Sequence, residues 1–103
     1  MRTAVISGGN GGLGRALAES RTPVVVDLTD KAALDQAVAK VITARPSIDL
    51  VVYNAGVSLI GPFAAQDAAS HRRLFEINYF AAVAMAQGFL AAVRKSRGTH
   101  LAI

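Results

Sequence analysis

The sequence predicts an α/β domain built on a doubly wound parallel sheet of about four strands, with helices on both faces. Three observations lead there. Short β-branched runs alternate with helical patterns in the order strand, helix, strand, helix, strand, helix, strand. Those runs are apolar at successive positions, as strands covered on both faces require. A glycine-rich loop, "SGGNGGLG" from Ser7 to Gly14, joins the first strand to the first helix and holds five of the nine glycines in the chain. Each glycine costs about 0.5–1 kcal/mol against alanine inside a regular element, so the clustering marks backbone that needs unusual dihedrals or close approach. The expected strand order is 2-1-3-4, with a crevice between the first and third strands at the carboxyl edge of the sheet.

Taken in order, "TAVIS" (residues 3–7) is the first strand and Gly12 to about Ser20 the first helix. "PVVVDL" (residues 23–28) is the second strand. Twelve residues separate Gly14 from Asp27, just enough for a crossover of about 10–12 residues to an adjacent parallel strand. From Asp30 to about Ala44, the residues Ala33, Leu34, Ala37, Val38, Val41 and Ile42 form one face at the 3.6-residue period. Thr29 or Asp30 caps that helix, and Pro46 lies just beyond its end. "IDLVVYNA" (residues 48–55) is the third strand. Asp67 to about Lys95 is a long helix closed by "RKSR", whose cations suit the negative end of the helix dipole. "THLAI" (residues 99–103) is a last strand with an exposed apolar edge, which invites self-association. With 103 residues, 52% of them apolar, residues 1–103 are expected to form one domain.

Composition narrows the function classes. The chain has no cysteine and two scattered histidines, so neither a disulfide frame nor a metal site is expected, and a cytoplasmic location is. Its longest apolar stretch, "YFAAVAMAQGFLAAV", is broken by Gln87 and Gly88 and is shorter than the ~20 residues that span a bilayer, so no membrane partner is expected. The net charge of +4 allows nucleic acid as a partner, but no aromatic side chains interleave the basic clusters for base stacking, and none is expected.

The chemistry lies at strand ends. First N–H groups of a helix lack internal partners, so a glycine loop opening a helix forms an anion site, for which a pyrophosphate is a natural guest. Gly9, Gly11 and Gly14 satisfy G-x-G-x-x-G with a strand before and a helix after, and the G-K-[ST] ending of a nucleoside triphosphatase loop is missing. Asp27 stands at the carboxyl end of a strand, either to meet a ligand or to start the next helix. In "YNAG", Asn54 can tie the strand end to a neighbouring loop, while Ala55 and Gly56 leave room for a ligand. Asn78 falls on the apolar face with Leu74, Ala81, Ala82, Met85 and Phe89. A buried amide there must find partners, since leaving it unsatisfied costs about 1–3 kcal/mol; it either serves a neighbouring backbone or organises a site.

Together these motifs resemble the short-chain dehydrogenase/reductase family, which binds NAD or NADP on a Rossmann-like fold. "SGGNGGLG" is similar to that family's T-G-x-x-x-G-x-G, with Ser7 for threonine and Gly8, Gly12 and Gly14 in the glycine places. "DLTD" resembles its adenine-contacting aspartate and hydrophobic pair, "YNAG" its N-N-A-G with Tyr53 for the first asparagine, and "FEINYFA" the helix bearing its catalytic asparagine. The resemblance implies Asn78 as a catalytic residue. It implies cofactor contacts from Ser7, Gly8, Asn10, Gly11, Gly12, Leu13 and Gly14 at the pyrophosphate, Asp27 and Leu28 at the adenosine end, and Asn54, Ala55 and Gly56 along the adjoining wall. Were Asp27 to hold the ribose, NAD would be favoured, because a 2′-phosphate would meet a carboxylate.

Two family features are missing. The family's catalytic serine and Y-x-x-x-K pair would follow "THLAI"; in this chain Tyr53 is followed at four by Val57 and Tyr79 by Val83. A strand and helix that the family places before its D-L-T-D are missing too. The expectation is therefore the cofactor-binding N-terminal portion of an NAD(P)-dependent oxidoreductase for an alcohol and carbonyl pair, inactive by itself, with a small-molecule substrate only alongside a C-terminal portion. A non-catalytic nucleotide-binding or interaction module is the alternative. A methyltransferase using S-adenosylmethionine shares the glycine loop and strand-end acid, but "YNAG" and Asn78 argue against it.

Overall fold

The structure is a computed structural model and describes residues 2–8 and 22–103. Three parallel strands, β1 (Ala4–Ile6), β2 (Leu50–Tyr53) and β3 (Thr99–Ala102), form one sheet in the order β1-β2-β3. The register pairs Val5 with Val51 and Val51 with His100. These are the first, third and fourth expected strands, in their expected relative order.

The second expected strand does not form. Residues 22–27 join no ladder, and Val25 is 95% exposed. Order 2-1-3-4 is thereby corrected to three strands among the described residues. A strand exists by backbone pairing, and this segment reaches the core by side chains alone: Val26 and Leu28, two apart, pack on the core cluster while Asp27 between them faces out. Apolar content on successive positions therefore overstated its burial. The expected first helix lies outside the described residues.

Helix α1 (Lys31–Ala44) starts where the capping pattern places it: Asp30 accepts a hydrogen bond from the Ala33 amide at 3.0 Å. All six residues of its expected apolar face are buried or half-buried. Beyond Tyr53, a 3-10 turn (Phe63–Ala65) leads to α2 (Ala68–Phe75), capped by Asp67, whose Oδ1 accepts from the Ser70 amide at 2.7 Å. The helical path continues through a π turn (Glu76–Phe80) into α3 (Ala81–Ser96). That 29-residue run, Ala68–Ser96, is long and apolar enough to cross a membrane by length and composition. Its inner face does the work of a core helix, because Ala81, Met85, Phe89, Ala92 and Val93 pack with Leu34 and Val38 of α1 and Val51 and Tyr53 of β2.

At the end of α3, Arg97 takes the left-handed conformation (φ 55°), and the Gly98 amide donates to Val93 O at 2.9 Å. The chain then enters β3 under the Asp49 carbonyl, which accepts from the Thr99 amide at 2.9 Å. Every residue of β3 is exposed, and the strand forms one edge of the sheet.

Candidate dinucleotide site at the strand ends

Two neighbouring parallel strands, β1 and β2, end side by side, and Ser7 locks their ends together. Its amide donates to Val52 O at 3.0 Å and its Oγ donates to the same carbonyl at 3.4 Å. That Oγ also accepts from the amides of Asn54 at 3.0 Å and Ala55 at 3.1 Å. Asn54 returns the tie, its Nδ2 donating to Gly8 O at 3.2 Å. The expected role of Asn54, joining strand end to loop, is thus present. Gly8 has φ +69°, and a Cβ there would stand 2.9 Å from Ala55 Cα, so the two loops approach closely because residue 8 has no side chain.

Asn78 anchors the other side. Its Oδ1 accepts from the Val57 amide and its Nδ2 donates to Val57 O, both at 2.7 Å. A Cβ on Gly56 would lie 3.2 Å from that Oδ1, so the glycine of "YNAG" leaves the asparagine its space. One expectation is corrected here: Asn78 is exposed and not buried on the core face. The reason is the π turn, whose wider winding breaks the 3.6-residue count between Leu74 and Ala81 and swings Asn78 from the core line to the rim. Such turns recur at functional sites, and nothing in the residue pattern of "EINYF" announces one.

Between these anchors lies a cleft of about 70 Å³ whose lining includes Ser7, Leu28, Tyr53, Ala55, Ile77 and Asn78. It opens where β1, β2 and β3 end at their carboxyl sides, the edge at which open parallel sheets bind ligands. A dinucleotide needs far more room than this, since small-molecule sites run to several hundred Å³. Leu28, Ala55 and Ile77 supply apolar walls to the cleft. Ile77 was missed from the sequence, where it was one apolar residue among many on a long helix.

Asp27 stands outside that lining. Its Oδ1 accepts from the Thr29 amide at 2.9 Å and Thr29 Oγ1 at 2.7 Å. These bonds, with a smaller contribution from the nearby Arg73 charge, hold its carboxyl below the ordinary 3.8. Asp27 thus shapes the turn into α1, as the helix-starting reading expects, and its neighbour Leu28, not Asp27 itself, lines the cleft. Asn10, Gly11, Gly12, Leu13 and Gly14 lie outside the described residues.

Tyr53, which departs from the family motif, is buried and shares a 2.5 Å hydrogen bond with His100 Nδ1, the two rings stacked at 5.7 Å and 11°. Burial raises the Tyr53 hydroxyl above the ordinary 10.0, keeping it neutral. A second, open groove of about 550 Å³, lined by Phe63, Ala64, Gln66, Ala68, His71 and Arg72, shares no residue with the cleft.

The sequence pattern of the short chain dehydrogenase family matches residues 19–103. Among curated relatives, human retinol dehydrogenase 8 is 28% identical over 91 residues, covering 87% of this chain and 28% of its own length. The chain thus spans less than a third of that relative. A short chain dehydrogenase/reductase from Saccharomyces cerevisiae superposes with a TM-score of 0.86 at 21% identity, over 100% of this chain and 53% of that one. An oxidoreductase of the same family from Brucella ovis, solved with partially ordered NAD, gives a TM-score of 0.81 at 20% identity, over 96% of this chain and 60% of that one.

Proposed function

The chain belongs to the short chain dehydrogenase family, and from that premise we propose that it binds NAD(H) or NADP(H) across the strand ends as the cofactor-holding portion of an oxidoreductase for an alcohol and carbonyl pair. The observation that carries this reading is the cleft itself: a notch of mixed polar and apolar lining at the carboxyl edge of the sheet, floored by two strand ends that Ser7 and Asn54 tie together. Leu28, Ala55 and Ile77 would clasp the adenine, and the loop from Gly8 to Gly14 would offer its amides to the pyrophosphate. The bound nicotinamide would give or take the hydride. Asn78 would act by position, holding the Val57 peptide and with it the wall along which the nucleotide runs.

An NAD preference would require Asp27 to present its carboxylate to the ribose from a strand beside β1. In the structure that strand is unpaired and Asp27 Oδ1 is committed to Thr29. Hydride transfer to a carbonyl also needs a proton donor, which the family supplies from a tyrosine and lysine pair; without a Y-x-x-x-K in this sequence, we propose that the chain binds without turnover. Titration of the 103-residue chain with NADH and NADPH, followed by nucleotide fluorescence and repeated with Gly12→Val, tests the reading. Saturable binding by the parent chain that the valine abolishes is expected, and equal binding by both chains would remove the glycine-loop assignment. Consumption of NADPH with simple aldehydes by this chain alone would refute the claim of no turnover.

A further inference from the structure

Strand β3 presents an open edge whose hydrogen-bonding pattern complements itself. The Thr99 amide donates to the carbonyl of Asp49, just before β2, at 2.9 Å, and the Ile103 amide to that of Tyr53 at 3.1 Å. A parallel ladder engages alternate residues, so Thr99, Leu101 and Ile103 spend their main-chain groups on β2. The N–H and C=O groups of His100 and Ala102 point the other way, to the side of β3 on which no strand lies among the described residues. Natural sheets guard such an edge with lysine, proline, a bulge or a covering element. Residues 99–103, "THLAI", hold neither lysine nor proline, the register from Thr99 to Ala102 runs without a bulge, and every residue of the strand is exposed. The side chains sort by face as well. Ile6, Val52 and Leu101 are successive register partners and form one apolar row across the sheet. Leu101 ends that row 47% exposed, with Ile103, two residues on, at 68%. His100 lies on the opposite face, its ring held by Tyr53 and kept clear of this row.

We propose that β3 is a homodimerisation strand, pairing antiparallel with β3 of a second copy about a twofold axis at Leu101. The two open residues of each strand set that register. His100 of one copy faces Ala102 of the other, the pair exchanges both N–H···O=C bonds, and the axis repeats the exchange in the mirrored pair. Leu101 then meets Leu101 of the second copy as the non-hydrogen-bonded pair, with Cα atoms about 4.5 Å apart, and Ile103 meets Thr99. Apolar and β-branched side chains thus lie opposite one another, and no like charges do. The row of Ile6, Val52 and Leu101 continues into the same row of the second copy, so the most exposed end of each becomes the centre of a joined sheet. A second copy is the occupant that supplies donors, acceptors and a central leucine at this spacing.

The 103-residue chain has no cysteine, so single cysteines report the pairing directly. Leu101→Cys sets two thiols across the axis at a Cα separation that a disulfide spans, and mild oxidation should convert most of the protein to a covalent dimer. Thr99→Cys places its Cα atoms about 14 Å apart, beyond a disulfide's reach, and should cross-link at least roughly tenfold more slowly. Ala102→Pro removes an N–H that the single chain leaves unused, a loss that an edge strand tolerates. With circular dichroism confirming its fold, the proline variant should dimerise about tenfold or more weakly than the parent in sedimentation velocity. Leu90→Lys, on the outer side of α3, should leave dimerisation within about twofold of the parent. Equal cross-linking at residues 99 and 101, dissociation by the Leu90 variant and not by the proline, or a parent chain that stays monomeric would each overturn the assignment.

Discussion

Ser7 Oγ accepts from two amides and donates to a carbonyl across two strand ends. Its loss would leave the Asn54 and Ala55 amides without those partners in a part-buried place. Ser7→Ala should therefore cost about 1–2 kcal/mol, a drop of roughly 5–10 °C in a thermal melt of a chain this size. Ser7→Thr keeps the hydroxyl and should melt near the parent. At Asn78 the two contacts with Val57 run in opposite senses. Asn78→Asp keeps the acceptor and sets an oxygen against Val57 O, so chemical denaturation at neutral pH should show a loss of about 1 kcal/mol. The introduced carboxyl can donate once protonated, so its folded pKa should be raised and the deficit should shrink as the pH falls through it. A deficit that grows on acidification would contradict the pairing. Asn54 was legible in the sequence as a tie between strand end and loop, Asn78 as an amide that must find partners, and Ser7 through the resemblance of its loop to the family pattern. The partner of Asn78 was not, since Val57 offers only its backbone, which no side-chain pattern encodes.

The helix α2 begins on Asp67, whose carboxyl is held below the ordinary 3.8 by Ser70. A lowered folded value means that this contribution is fully present above the unfolded pKa and is lost as the pH falls through the folded one. Stability measured by denaturation between neutrality and pH 3 should accordingly decline below about pH 4. Asp67→Asn, which keeps a capping oxygen, should flatten part of that decline. An unchanged profile in the asparagine variant would remove Asp67 from the account. Elements whose cause is local were readable in advance: the start of α1 at Asp30, the start of α2 at Asp67 and the arrest near Ser96 all follow from caps. Two elements were not. Residues 23–28 look like a buried strand by composition, yet pairing depends on a partner elsewhere in the chain, and Val25 remains in solvent. The π turn at Glu76–Phe80 depends on how the long helix meets both the sheet and the Val57 loop, which is a tertiary matter.

For the whole molecule, three parallel strands backed by α1 and α3 bring Ser7, Leu28, Ala55 and Ile77 to one edge from four separated parts of the chain. The same architecture leaves apolar surface outside: Leu101 and Ile103 along β3, and Phe75, Tyr79, Val83 and Leu90 on the outer side of the long helical run. Such surface is costly in water, so the 103-residue chain should associate with rising concentration in sedimentation velocity, and a strictly monomeric profile would contradict this. The proposed function depends on a nucleotide meeting the carboxyl edge of the sheet. The most direct test is an amide-resolved NMR titration of the isotope-labelled chain with NADH. Shifts concentrated at Ser7, Gly8, Leu28, Ala55 and Ile77 are the predicted result. Shifts confined to the groove from Phe63 to Arg72, or none at saturating nucleotide, would contradict it.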